Sequence, residues 1–206
     1  STVSVNSTAG FSIVKYTGTG ANATVGHGLG VVPKMIIVKD MTSTKDWFVY
    51  HNSIGNANRL KLNDTAASGS STVWNSTTPT SSVFYIDSQV YTNASSNNFI
   101  AYCFAEKTGY SKFGSYTGNG NADGTFIYTG FKPAFVMVKR TDNTSDWQMQ
   151  DNKRIGYNIN NYRLSANLSA AETTSGVMDL ISNGFKFRGT PMNTNGGTFI
   201  YMAFGQ

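Results

Sequence analysis

Few side chains in this sequence could do chemistry, and they are scattered. Two histidines, His27 and His51, could serve a hydrolytic triad, in which an imidazole held by a carboxylate activates a serine. No Gly-x-Ser-x-Gly elbow accompanies them, because Gly10-Phe11-Ser12 and Gly109-Tyr110-Ser111 lack the closing glycine. His27 reads instead as part of a glycine-rich connection and His51 as a strand end. Glycoside cleavage needs two carboxylates roughly 5 to 10 Å apart, and Asp87, Glu106, Asp123, Glu172 and Asp179 are the acids available. A polysaccharide depolymerase therefore stays open as an alternative. Asn119-Gly120-Asn121-Ala122-Asp123-Gly124 resembles the start of a calcium loop, but Gly130 stands where the bidentate glutamate belongs, so the run reads as an Asn/Gly turn. The glycine clusters match neither a dinucleotide fingerprint nor a phosphate loop. The single cysteine, Cys103, excludes an intrachain disulfide and a cysteine-rich zinc site. Within FIAYCFA it reads as a buried, inert thiol. The residues thus suggest no catalytic set, no metal site and no cofactor.

Ligand contact is a better use of the polar stretches that carry aromatic or basic residues. Trp74, Tyr91, Arg154, Tyr157 and Tyr162 are the candidates for receptor or glycan contact, since aromatic faces stack on sugar rings while Asn and Ser supply hydrogen bonds. The same side chains could instead cover a neighbouring chain or domain.

The elements that must position these residues come in two copies. Gly30 to Trp47, GVVPKMIIVKDMTSTKDW, returns as Gly130 to Trp147, GFKPAFVMVKRTDNTSDW. Gly30, Pro33, Val38, Lys39, Thr44, Asp46 and Trp47 recur one hundred positions on. Phe99, Ile100 and Phe104 recur as Phe199, Ile200 and Phe204. Strands are expected at Phe11–Tyr16, Thr24–His27, Lys34–Met41, Trp47–Tyr50, Arg59–Asn63, Thr72–Trp74, Val83–Ile86 and Phe99–Ala105, with turn signals between them and no helical periodicity. Lys34–Met41 is apolar on both faces and should be central. Trp47 and Trp147 read as packing residues. The expectation is an all-β chain of two tandem homologous antiparallel β-sandwich, jelly-roll-like domains, residues 1–108 and 109–206.

Charged residues are 13% of the chain, about half the usual share. The net charge of +5 is spread singly, without the basic stripe that nucleic-acid binding needs. No stretch is long and apolar enough for a membrane-spanning helix, so no membrane insertion is expected. Ser1 opens a polar segment without signal-peptide features, and the missing initiator Met suggests a processed or excised piece of a longer polypeptide. Seven Asn-x-Ser/Thr triplets, beginning at Asn6, Asn22, Asn63, Asn75, Asn93, Asn143 and Asn167, are expected by chance in so Asn-, Ser- and Thr-rich a chain.

One block runs Gly28-Leu29-Gly30, Pro33, Ile36, Val38-Lys39 and Trp47; Arg59-Leu60, Asn63 and Ala66-Ala67 follow, then Phe99 to Glu106 and Gly109 to Lys112. With these motifs the chain resembles a repeat domain of tail-fibre and other virion-surface proteins of tailed phages, marine phages especially. The second copy departs from the pattern at Phe131-Lys132 and has no histidines. The resemblance implies a virion-surface location, other virion proteins as partners, a homotrimer, and attachment to a host receptor, a glycan by expectation. It equally admits a decoration or connector protein that binds only other virion proteins.

Overall fold

The computed structural model describes residues 1–206 and is all-β, every paired strand running antiparallel. The chain divides into two compact units. The first comprises Ser1–Asp64 and Ser68–Lys107; the second comprises Thr108–Gln206 together with Thr65–Ala67.

The first unit contains β1 (Thr2–Asn6), β2 (Phe11–Thr17), β3 (Ala23–Gly26), β4 (Met35–Asp40), β5 (Phe48–His51), β6 (Asn58–Lys61), β7 (Gly69–Ser70), β8 (Val83–Ile86) and β9 (Asn98–Phe104). A single helical turn, α1 (Val90–Asn93), precedes β9. Seven strands form one sheet in the order β1-β2-β9-β4-β5-β6-β7, and β3 pairs with β8 in a second. β4 lies at the middle of the large sheet with Met35, Ile36, Ile37 and Val38 all buried, as its two-faced apolar run requires. Its core gathers Val14, Tyr16, Ile36, Val38, Phe48, Tyr50, Trp74, Phe84 and Phe99. The strand expected at Thr72–Trp74 is absent, for Val73–Ser76 form a turn. The expectation failed there because Trp74 is buried by Tyr50, whose ring meets it edge-on at 5.8 Å, and not by a strand partner. β1 lies in the polar opening segment, where no strand is expected. It is an edge strand whose polar residues face outward.

The second unit contains β10 (Ser111–Thr117), β11 (Phe126–Tyr128), β12 (Pro133–Arg140), β13 (Gln148–Asp151), β14 (Leu164–Ser165), β15 (Met178–Ile181), β16 (Gly184–Phe187) and β17 (Thr198–Gly205). The order β10-β17-β12-β13-β14 reproduces β2-β9-β4-β5-β6, and β11-β16 reproduces β3-β8. No counterparts of β1 and β7 are present, and β15 is added to the small sheet as a third strand. Its core comprises Ile127, Val136, Val138, Met178, Leu180, Phe185, Phe187, Phe199 and Tyr201.

Residues shared by the copies hold the same joints in both. Tyr16 stacks on Phe99 at 5.1 Å and donates to Thr92 O; Tyr116 stacks on Phe199 at 5.0 Å and donates to Met192 O. Asn93 and Asn193, both fully buried, pin the loops that follow β2 and β10. Asn93 accepts from Thr19 N and donates to Ala21 O and Asp87 O. Asn193 accepts from Asn119 N and donates to Asn119 Oδ1 and Asn121 O. Of the side chains that mimic a calcium loop, Asn119 thus turns its oxygen to the Asn193 amide, and Asp123 turns its carboxylate to Lys186. Gly18 and Gly118 are required here, because a Cβ would stand 2.1 Å from Ala94 O and 2.3 Å from Thr194 O.

Lys39 and Lys139 turn inward to close the hairpin loop, donating to Lys45 O at 2.6 Å and to Ser145 O at 2.8 Å. Lys139 also reaches Thr65 O at 2.9 Å, which fixes the Thr65–Ala67 segment in the second unit. Asn63 and Asn167, which begin two of the chance glycosylation triplets, each accept from the backbone N–H of Trp47 or Trp147 and donate to Asp46 or Asp146.

Candidate functional site

The small sheet of the second unit has one face in the core and one turned outward. Ile127, Phe185 and Leu180 are in register and buried. Alternation therefore places Phe126, Lys186 and Asp179 in one row on the side away from the core, Asp179 itself being buried, and Tyr128, Gly184 and Ile181 in the next. Phe126 is 44% exposed and Tyr128 61%.

A segment with no counterpart in the first unit extends this face. Asn160 pairs with Met178 through both backbone groups, and Asn158 uses its side-chain amide on Leu180 N and O. Asn158–Asn160 thereby runs along β15 much as a further strand would. Asn160 points into the interior, while Ile159 and Tyr157 are left 50% and 73% exposed. Phe126, Tyr128, Tyr157 and Ile159 make up four of the twelve large apolar side chains that stand exposed in the chain, and this one sheet and its extension hold all four. Such a concentration calls for an explanation that isolated exposed residues do not.

Charge surrounds the aromatic rows. Lys186 meets Asp123 at 2.5 Å, and Arg188 meets Asp179 at 2.5 Å. The ammonium of Lys186 holds the Asp123 carboxyl below its ordinary value. Beside the face, Lys132, Asn152, Ile155, Tyr157, Asn158 and Asn160 line a pocket of about 50 Å³. Larger polar grooves occur in the first unit, one of about 280 Å³ lined by Tyr16, Thr17, Thr19, Thr24 and Asn93. Tyr16, Thr19 and Asn93 are already engaged in the shared joints, so this groove is a seam of the framework.

The five sequence candidates have different fates. Tyr157 lies at the edge of the candidate face, beside the segment docked along β15. Trp74 is 1% exposed and belongs to the core, so its face cannot receive a sugar ring. Its polar neighbours Thr72, Asn75 and Ser76 misled the sequence reading. Tyr91 is 39% exposed, yet its ring stacks on Phe48 at 5.2 Å as a cover for the first unit. Arg154 is a clasp, donating through Nε to Asp151 at 2.7 Å and through a terminal nitrogen to Glu172 at 2.9 Å. Burial raises the Asp151 carboxyl, but hydrogen bonds from Arg154 and from Lys153 N and Arg154 N outweigh it and hold the group below its ordinary value. Tyr162 is half-buried on the strip that bridges to Thr173. Phe126 and Tyr128 were missed, although Phe-Ile-Tyr followed by Thr-Gly carried a strand signal.

Both histidines, Asp87 and Cys103 are occupied with the framework. His27 is fully buried; Nε2 lies 3.1 Å from Thr80 O and Nδ1 accepts from Leu29 N. Thr129 does the same work in the second unit, its hydroxyl accepting from Phe131 N. His51 Nδ1 accepts from Ser53 N, as Asp151 Oδ1 accepts from Lys153 N. Asp87 receives Thr72 Oγ1 and Gln89 N. Burial pushes the Cys103 thiol up to about 12, which suppresses its thiolate.

Comparison with curated proteins and with solved structures finds no match. One family model runs through both units without a break, over residues 1–206, and by it the chain belongs to the family described as a domain of unknown function, DUF7483.

Proposed function

We propose that this chain is a non-enzymatic binding module on a tailed-phage virion surface, in a tail fibre or spike. In this reading the outward face of β11, β16, β15 and the Tyr157–Asn160 segment contacts a glycan of the host cell. The two units are then tandem homologous β-sandwiches of jelly-roll type, assembled with other virion proteins and with two further copies of the chain. The virion setting and the trimer rest on the sequence resemblance. The glycan reading rests on one observation: the second unit exposes Phe126, Tyr128 and Tyr157 beside asparagine amides and cations, whereas the matching face of the first unit offers Thr24 and a single half-buried Tyr85. Flat aromatic faces with hydrogen-bonding groups at their margin suit sugar rings, which have an apolar face and a polar edge.

Phe126 and Ile159 bring apolar area without a hydrogen-bonding group, and this favours a second reading, a decoration or connector protein whose face is covered by a virion neighbour. Adsorption of the purified chain to host cells and to a glycan array separates the two. On the glycan reading, Tyr128→Ala and Tyr157→Ala each weaken adsorption by about two- to tenfold, a stacking loss of roughly 0.5–1.5 kcal/mol, at unchanged melting temperature. Loss of particle assembly with adsorption intact would support the second reading. Release of reducing sugar would return the depolymerase.

A further inference from the structure

The Thr65–Ala67 segment shows what the loop between β12 and β13 holds. It leaves the turn after β6, where Leu62 N donates to Trp47 O and Asn63 accepts from Trp47 N, and it counts among the residues of the second unit. There Thr65 O accepts from Lys139 Nζ and from Ser145 N, both at 2.9 Å. In the unit that includes this segment, Lys139 is 0% exposed and Trp147 2%. The first unit repeats the loop between β4 and β5 without such a segment. Lys39 makes the equivalent bond to Lys45 O, Lys45 N turns to Ser43 O within the loop, and Lys39 and Trp47 are both half-buried. An ammonium carries three donors, so Lys39 can take a visiting carbonyl as Lys139 does.

The second unit repeats the segment as well. Ala166 N donates to Trp147 O, Asn167 accepts from Trp147 N, and Ser169-Ala170-Ala171 follows as Thr65-Ala66-Ala67 does. Ser169, Ala170 and Ala171 are all exposed, whereas Thr65 and Ala67, in place on their loop, are half-buried. The chain thus contains one segment seated on a loop, a second segment left exposed and a second loop left open.

We infer that Ser169–Ala171 of one copy seats on the Lys39–Trp47 loop of another, Ser169 O accepting from Lys39 Nζ. The partner is a second copy of this chain because the segment that such a loop takes, Asn-x-Thr/Ser-Ala-Ala, stands in this chain at Asn63 and again at Asn167. Each copy offers one segment and one loop, so copies join head to tail. Such a contact closes into a ring where the rotation permits and otherwise continues as a row. Seating exchanges the Ser43 O bond of Lys45 N for one to Ser169 O and brings Lys39 and Trp47 to the burial of Lys139 and Trp147. Thr65–Ala67 is helped by its covalent tether, which acts as a concentration of millimolar order. Three residues cover little area, so the untethered contact is weak and needs concentrated copies. It is independent of what the aromatic face of the second unit binds.

The test is sedimentation of the intact chain from about 1 μM to about 1 mM, with tryptophan emission read alongside. Trp74 and Trp147 are buried, so Trp47, the third tryptophan, dominates any change. Mass is expected to rise with concentration while emission shifts to the blue. Lys39→Met and Ala171→Arg should each weaken association about tenfold, the first by removing the donor and the second by setting a like charge and a larger side chain against the loop. Ala171 is exposed, so its variant keeps the melting temperature and guards against a Lys39→Met chain that fails to fold. Mixed in equal amounts, the two folded variants should form a dimer and nothing larger, since one supplies the segment and the other the loop. A wild type that stays monomeric to about 1 mM, association unchanged by Ala171→Arg, or a mixture that associates no better than either variant alone would overturn the contact.

Discussion

The two units repeat one framework and part company at the small sheet. The first unit adds strands at both edges of its large sheet, β1 beside β2 and β7 beside β6, and leaves the small sheet at two strands. The second adds β15 to the small sheet and, through Asn158 and Asn160, docks a segment along it. One copy elaborates cover and the other elaborates an exposed aromatic face. Equivalence also shows what a residue is for. His27 and Thr129 accept a backbone N–H two residues on, as do His51 and Asp151, so the two histidines of the first unit are turn-closing groups with non-imidazole substitutes. Residues that recur, such as Asn93 and Asn193, hold the fold in both copies.

The largest expected effect breaks the apparent likeness of Trp74 and Tyr157. Trp74→Ala empties the core of the first unit and should cost about 3–5 kcal/mol in denaturant unfolding. Next, Asn93→Ala and Asn193→Ala should each lower stability by roughly 2–3 kcal/mol, since each leaves several backbone partners at a buried hub without a bond. Similar losses from the two variants would sharpen the claim that the hubs are equivalent; a loss from one alone would break it.

The units should also differ in acid. Burial holds His27 below its ordinary value, despite a hydrogen bond to Thr80 O. A neutral imidazole favoured by folding contributes stability that is complete above the unfolded value of about 6.5. That contribution is lost as pH falls through the lower folded value. Melting of the first unit should therefore weaken below about pH 6.5 more than that of the second, and His27→Thr, the residue type found at the matching position, should reduce the difference. The smallest stability effect is expected from Tyr157→Ala, within about 0.5 kcal/mol by thermal melting, because the ring is 73% exposed.

Much of the framework was legible. The hundred-residue return of Gly30–Trp47 exposed the repeat, and the two-faced apolar run of Met35–Val38 marked the central strand, because periodicity and burial are written in local residue types. β1 was not legible, since only Val3 and Val5 carry its alternation within a polar opening segment. Trp74 was not either, since its burial comes from Tyr50, distant in sequence. Of the candidate face, Tyr157 is marked in the sequence by its polar surroundings alone. Phe126 and Tyr128 needed the register with β16 to be seen on one face. β15 left a readable trace in Val177 to Ile181 followed by Ser182-Asn183-Gly184, a two-residue hairpin turn that the first copy lacks.

Hydrogen–deuterium exchange of the intact chain, with and without a glycan that adsorbs it, tests most directly the claim that function resides where the units differ. The expected result is added protection in Phe126–Tyr128, Ile155–Asn160 and Asp179–Lys186, with β3 and β8 unchanged. Protection in β3 and β8, or equal protection in both units, would contradict it.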